Sequence, residues 1–248
     1  MTRIKNKVIS IDYEKANQFF ENRANKYNEK YPYVSTMYQD SNPELTKLRD
    51  EYEKNKIFPM LEIDFESKIL DVGCGVGRWA DLLYKNGSIY LGVDFSNDLL
   101  ELARKRITTI PGKVEFQHLA AQDIKNNNLV ISGNFNRFII TGVLQYLNDA
   151  DIEKCLQGIV SLADTNSIVY IKETVSIESR LTLNQFYSEE LDVEYSAIYR
   201  NKEQYETIFE KTLIANGFRT IKRGYLYEDK VLNNRNETMQ YFYILERK

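Results

Sequence analysis

The stretch Lys68-Ile-Leu-Asp71-Val-Gly73-Cys74-Gly75-Val-Gly77-Arg78 decides the fold. A short apolar run ends in an acid and three glycines, and a helix is expected to follow over 77–85. Glycines let the chain turn sharply and bring backbone close to a ligand, and a helix start presents N–H groups without intrahelical partners. A strand, a glycine loop and a helix in this order form a ligand-binding turn. The plain alternative is a glycine turn and nothing more.

Outward from this stretch the chain alternates short apolar runs with amphipathic segments. IYLGV at 89–93, VEFQH at 114–118, FNRFIIT at 135–141 and SIVYIKE at 167–173 read as strands. Asp98 to Arg106 and Ala150 to Ala163 read as helices. Such alternation implies right-handed crossovers and a parallel sheet covered on both faces. After a helix from Lys202 to Asn216, two strands over 220–227 and 240–246 flank EDKVLNNRNET, so a hairpin is expected to put an antiparallel strand at the sheet edge. Ahead of the core, Tyr13 to Tyr27 and Glu44 to Phe58 read as two helices. The expected class is α/β: a Rossmann-like, seven-stranded, mostly parallel sheet with an antiparallel C-terminal hairpin and an N-terminal helical cap. The domains are expected at 1–62 for the cap and 63–248 for the core, with a cap insertion around 174–201.

Composition narrows the function classes. The 248 residues carry a formal net charge of −3, which gives no general attraction for nucleic acid. There is no apolar run long enough for a membrane span and no signal-peptide pattern in MTRIKNKVISIDYEK, so a cytoplasmic protein with no membrane partner is expected. Cys74 and Cys155 lie far apart without a ligand pattern, so no disulfide and no metal site is expected. Association with a second copy or another chain is left open.

The surroundings of the glycines discriminate between ligands. Their spacing is G-x-G-x-G rather than the G-x-G-x-x-G of dinucleotide folds, and Asp71 stands two residues before the first glycine. An acid there meets a methionyl ammonium and would repel a pyrophosphate. The next strand ends in Asp94, placed to accept from both ribose hydroxyls, and Phe95 follows to cover an adenine face. A helix-capping role for Asp94 is the bland alternative.

With Asp71-Val-Gly73-Cys74-Gly75-Val-Gly77 and Gly92-Val-Asp94-Phe95 in order, the chain resembles the class I S-adenosylmethionine-dependent methyltransferases over about residues 60 to 175. That resemblance implies S-adenosylmethionine as cofactor, with Gly73, Cys74, Gly75 and Gly77 against its methionine and ribose and Asp94 on the ribose. The third motif falls on Leu119 to Asp123, where alanine stands in place of the first acid and Ala121 and Gln122 are the adenine candidates. The fourth falls on Ile140 to Tyr146, with Thr141 beneath the donor. The cap stretch Phe20 to Tyr27 is similar to one whose arginine reaches the methionine carboxylate, which points to Arg23; a solvated arginine is the alternative. The whole-chain layout is similar to bacterial enzymes acting on surface-polysaccharide precursors, nucleotide-linked sugars or capsular phosphoramidate groups.

Methyl transfer needs alignment and exclusion of water, plus a base when the acceptor is a hydroxyl or a protonated amine. Glu173, at the end of the fifth core strand, and Tyr146 are the catalytic candidates; a satisfied buried acid and a pocket wall are the alternatives. His118, the single histidine, reads as structural or adenine-flanking. Tyr38, in an aromatic segment that reads as a lid or as core packing, Gln145, and the pair Tyr199 and Arg200 are the acceptor-binding candidates. Arg200 fits an anionic group through bidentate hydrogen bonds, or serves the fold instead. The expected partner is a small-molecule acceptor. A non-catalytic cofactor-binding module, a nicotinamide oxidoreductase and an RNA methyltransferase are the competing readings.

Overall fold

The computed structural model describes residues 3–84 and 88–248. Its elements in chain order are β1 (Arg3–Lys5), α1 (Tyr13–Ala24), α2 (Val34–Met37), α3 (Pro43–Ile57), β2 (Lys68–Val72), α4 (Ala80–Leu83), β3 (Ile89–Asp94), α5 (Asn97–Arg106), β4 (Val114–His118) and β5 (Phe135–Thr141). There follow α6 (Asp149–Leu162), β6 (Ala163–Ser176), β7 (Leu181–Ser188), β8 (Val193–Tyr199), α7 (Lys202–Lys211), β9 (Arg219–Tyr225) and β10 (Thr238–Arg247). Seven strands form one sheet in the order β4-β3-β2-β5-β6-β10-β9. The pairs among β4, β3, β2, β5 and β6 are parallel, and β10 runs antiparallel to both of its neighbours.

The expected sheet is therefore present, with the antiparallel C-terminal hairpin at its edge. Within the hairpin β10 is the inner strand, between β6 and β9, and β9 forms the edge. The reason is burial, since YFYIL in β10 is buried throughout whereas the start of β9 is exposed. The helix expected over 77–85 is shorter, Ala80–Leu83, because Gly75 and Gly77 hold positive φ and spend the preceding residues in turns; Lys85 lies outside the described residues.

Alternation along each strand sends side chains to two cores. Leu70, Val72, Val93 and Phe138 pack with Ile152, Leu156 and Ile159 of α6 on one face. Ile69, Tyr90, Ile139 and Tyr170 pack with Ile57, Ala80 and Leu100 on the other. Residues 174–201 carry β7 and β8, which join β1 in a separate three-stranded antiparallel sheet that sequence periodicity did not reveal. Among the described residues no helix is long and apolar enough to cross a membrane.

Helix α3 enters through Pro43 at its first turn and buries Thr46, Asp50, Glu53 and Ile57, a stripe with helical spacing that is half ionic. Asp50 accepts from Arg78 at 2.8 Å and pairs with Lys54 at 2.8 Å. Glu53, fully buried, accepts from Arg78 and from Tyr170, each at 2.9 Å, with Lys172 at 3.4 Å. Burial alone would raise the Glu53 carboxyl, but Arg78 and Lys172 outweigh it and hold it down to about 2. The helix is thereby fastened to the residue following the glycine loop and to β6. Glu53→Ala leaves buried Lys172 without its acid and Arg78 with Asp50 alone, and should cost about 3–5 kcal/mol of stability in urea denaturation. A loss under about 1 kcal/mol would show that the cluster is hydrated rather than buried.

Candidate functional site

The strand order places β3 and β5 on opposite sides of β2, so the crossovers diverge at its carboxyl end and leave a crevice where ligands of open α/β sheets sit. Gly73 and Gly75 line it with positive φ of 68° and 53°. A Cβ on Gly73 would stand 2.3 Å from Val143 Cγ2, and one on Gly75 would stand 2.8 Å from Thr36 Cγ2. Both glycines are therefore required by close approach as well as by conformation. Gly77, also at positive φ, turns the chain towards α4 but lines none of the cavities described here.

Two clefts meet at Gly73 and Gly142. The first, lined by Asp94, Phe95, Leu119, Ala121, Gln122, Val143 and Tyr146, is apolar with one acid and one amide. The second, lined by Asp71, Cys74, Gly75, Arg78, Trp79, Thr141, Gln145 and Lys172, is charged. Asp94 accepts from the backbone N–H of Gly75 and of Ser96, each at 2.8 Å, which ties the glycine loop to the start of α5. The helix cap itself is Ser96, whose hydroxyl accepts from Leu99 N–H. Asp71 accepts from Tyr90 Oη at 2.6 Å. Trp79 Nε1 and the Gln145 side-chain oxygen are buried without a hydrogen-bond partner among the described residues, although both residues line the charged cleft. Orphaned buried polar atoms beside a cavity call for a polar ligand.

A third cavity of about 400 Å³ opens beyond Tyr38, Gln145 and Tyr146, between the end of the large sheet and the small one. Tyr199, Tyr195 and Phe186 of the small sheet line it, as do Arg3, Arg49 and the 233–237 segment ahead of β10. The Tyr38 and Tyr146 side chains both line it, and their hydroxyls lie near enough to influence each other's ionisation. Phe20 of α1 packs edge-on against both Phe95 and Tyr146, so the helix closes the apolar cleft. His118 is exposed at the end of β4 and its ring contacts the Phe95 carbonyl at 2.8 Å, away from the third cavity.

Three expected roles are corrected. Arg23 does not reach a cleft: it is buried, paired with Asp40 at 2.7 Å and bonded to the Val34 and Ser35 carbonyls, so it pins α1 to the turn after α2. Arg200 does not face an acceptor: it is fully buried and donates to Asp149 and to the carbonyls of Leu144 and Leu147. Glu173 is not poised as a base: fully buried, it accepts from the N–H groups of Val143, Leu144 and Gln145 at 2.9–3.1 Å. Glu173 and Arg200 thus hold the two ends of the 3-10 turn Leu144–Tyr146, the acid at its N–H end and the cation at its C=O end. Arg49, Arg78, Trp79 and Lys172 line the site without having been expected there; a glycine-loop neighbour is a signal for Arg78 and Trp79, but none exists for Arg49.

Residues 69–165 match the protein family described as a methyltransferase domain. Phosphoethanolamine N-methyltransferase of Triticum aestivum is 26% identical over 126 residues, which cover 50% of this chain and 24% of that protein. Ubiquinone biosynthesis O-methyltransferase of Pasteurella multocida is 26% identical over 105 residues, covering 41% of this chain and 38% of that one. The matched region thus spans well under half the length of either relative. A solved S-adenosylmethionine-dependent methyltransferase of Leishmania major superposes with a TM-score of 0.65 at 17% identity, covering 94% of this chain and 82% of that one. The fold is the Rossmann-like one of these methyltransferases.

Three buried carboxyls give the site a pH signature. Burial pushes Asp71 and Glu173 up to about 7 and Asp94 up to about 6, above their unfolded values. The folded ligand-free chain therefore retains protons that the unfolded chain releases, and this contribution to stability is lost as pH rises from about 4 to about 7. Asp71→Asn removes one such group and should raise stability at pH 8 by an amount on the order of 1–3 kcal/mol, with no gain at pH 4. Urea titrations at the two pH values test this; an equal effect at both would exclude the carboxyl's titration as the cause.

Proposed function

We propose that the chain is an S-adenosylmethionine-dependent methyltransferase that methylates oxygen or nitrogen of a small polar, anionic metabolite, such as a nucleotide-linked sugar or capsule precursor. The observation that carries this reading is the pair of clefts joined at Gly73, one apolar with Asp94 and one charged with Asp71. A nucleoside fits the first: Phe95, Leu119 and Val143 offer flat apolar contact, Gln122 an amide for the base, and Asp94 lone pairs for ribose hydroxyls. An amino-acid zwitterion fits the second, with Asp71 for the ammonium and Arg78 and Lys172 for the carboxylate. The orphaned Trp79 N–H and Gln145 oxygen gain a partner from such a ligand.

S-adenosylmethionine bound across both clefts supplies an electrophilic methyl on a sulfonium. The work left to the protein is alignment and exclusion of water. Val143, Gln145 and Tyr146 are held by the Glu173 and Arg200 contacts, and Phe20 and Tyr38 close over them. Tyr146 lines both the nucleoside cleft and the third cavity, which supports reading the latter as the acceptor site.

Asp94→Ala removes a charged acceptor from the ribose and should weaken S-adenosylmethionine binding by about 1.5–3 kcal/mol in titration calorimetry. Wild-type protein should be stabilised thermally by S-adenosylmethionine and not by a nicotinamide dinucleotide. An unchanged affinity in a folded Asp94→Ala variant would take this residue out of the site, and stabilisation by the dinucleotide alone would overturn the reading.

A further inference from the structure

The acceptor cavity has a one-sided inventory of ionisable groups. Its lining residues include three arginines, Arg3, Arg49 and Arg235, and one carboxylate, Glu237. Glu237 is half-exposed at the rim and paired with Arg3 and, at 3.5 Å, with Lys5. Neither Arg49 nor Arg235 has an ion-pair partner among the described residues. Arg49 is partly buried, which lowers its pKa; it donates to the Leu232 carbonyl at 2.8 Å and to Asn234 Oδ1 at 2.8 Å, and its guanidinium lies over Tyr227. It lines both the charged cofactor cleft and the acceptor cavity, at their junction. A half-buried cation without an acid is costly to hold and is a ready seat for an anion.

Among the described residues the same cavity offers no unpaired acid or imidazole as a base: its one carboxylate, Glu237, is held at the rim by Arg3 and Lys5. Glu173 spends its carboxylate on three backbone N–H groups, and neither Asp71, Asp94 nor His118 lines this space. The remaining titratable groups are Tyr38, Tyr146, Tyr195 and Tyr199. Burial drives Tyr38, Tyr146 and Tyr199 above the ordinary tyrosine value, so these three are neutral hydroxyls at any physiological pH. A hydroxyl acceptor or a protonated amine loses a proton in the reaction and would need a group to take it. An ionised acid does not.

We infer, on the basis of the methyltransferase reading, that the accepting atom is the oxygen of a fully ionised carboxylic or phosphorus acid whose anionic group is met by Arg49 and Arg235. An oxygen lone pair forms the new O–CH3 bond while the S–CH3 bond breaks and its electrons stay on sulfur. The sulfonium and the oxyanion each lose one unit of charge, the product is a methyl ester, and no proton is released.

The test pairs a turnover screen with a proton count. Wild-type protein and S-adenosylmethionine are given phenylphosphonate, benzoate, phenethylamine or benzyl alcohol, and S-adenosylhomocysteine is quantified alongside release of acid to a pH indicator in weak buffer. Between pH 8.5 and 9.5, where the carboxylate is a monoanion and the phosphonate a dianion, the expected result is methylation of an acid with less than one tenth of a proton per turnover and a flat kcat/KM. Arg235→Ala and Arg49→Ala, checked by circular dichroism, should each raise the KM for that acid at least tenfold. They should change S-adenosylmethionine affinity by calorimetry less than threefold. Methylation of the amine or alcohol with one proton per turnover, or no methylation of either acid, overturns the inference. So does an Arg49→Ala defect confined to S-adenosylmethionine binding together with unchanged acid kinetics in Arg235→Ala. A chain that binds no S-adenosylmethionine in calorimetry instead fails the general reading, so the two failures are separable.

Discussion

Three consecutive backbone N–H groups converge on one buried carboxylate, and two carbonyls of the same short turn converge on one buried guanidinium. The rest of the site depends on this constraint. A 3-10 turn of three residues is held internally by two hydrogen bonds, from Tyr146 N–H to the Val143 carbonyl and from Leu147 N–H to the Leu144 carbonyl, and its other peptide groups would be costly to bury unpaired. Glu173 reaches it from β6, and Arg200 reaches it from the end of β8, so the turn is referenced to both sheets at once. Val143, which fixes how closely Gly73 can approach, and Gln145 and Tyr146, which face the cavities, inherit their positions from it.

A second set of buried charges plays the same part on the opposite side. Glu53 and Asp50 bring α3 against Arg78, directly after the glycine loop, and against Lys172, the neighbour of Glu173. Such clusters are poor sources of net stability, but their geometry is demanding, and breaking one leaves charge without a partner. Adjacent residues of β6, Lys172 and Glu173, point to opposite faces and serve the two clusters separately. The strand beneath the donor site is thereby fixed from above and below.

The core strands were legible because buried parallel strands read as apolar runs, and their parallel pairing followed from the alternation with helices. The small sheet was not legible: β1 is three residues long, and β7 and β8 bury only part of their length, so neither offers a sustained pattern. In the site, the glycines and Asp94 could be read because backbone approach and strand ends dictate them locally. Arg23, Arg200 and Glu173 were read as functional because a buried partner is invisible in sequence. Asp40 lies 17 positions from Arg23 and Asp149 lies 51 from Arg200. Conversely, Arg49 sits on a helix whose face looks solvated until the loop carrying Leu232 and Asn234 folds over it.

That loop has a different standing from everything beneath it. Residues 226–237 join edge strand β9 to internal strand β10, and Asn233 to Glu237 form a wall of the third cavity from largely exposed positions. Exchanges in exposed loops usually leave stability within about 0.5 kcal/mol, whereas any change at Glu173 or Arg200 disturbs buried hydrogen bonds. On the proposed reading, exchanges within 233–237 reshape the third cavity while the buried Glu173 and Arg200 contacts stay in place, and Arg49 and Tyr146, which line more than one of the spaces, are where the third cavity and the donor clefts would remain coupled.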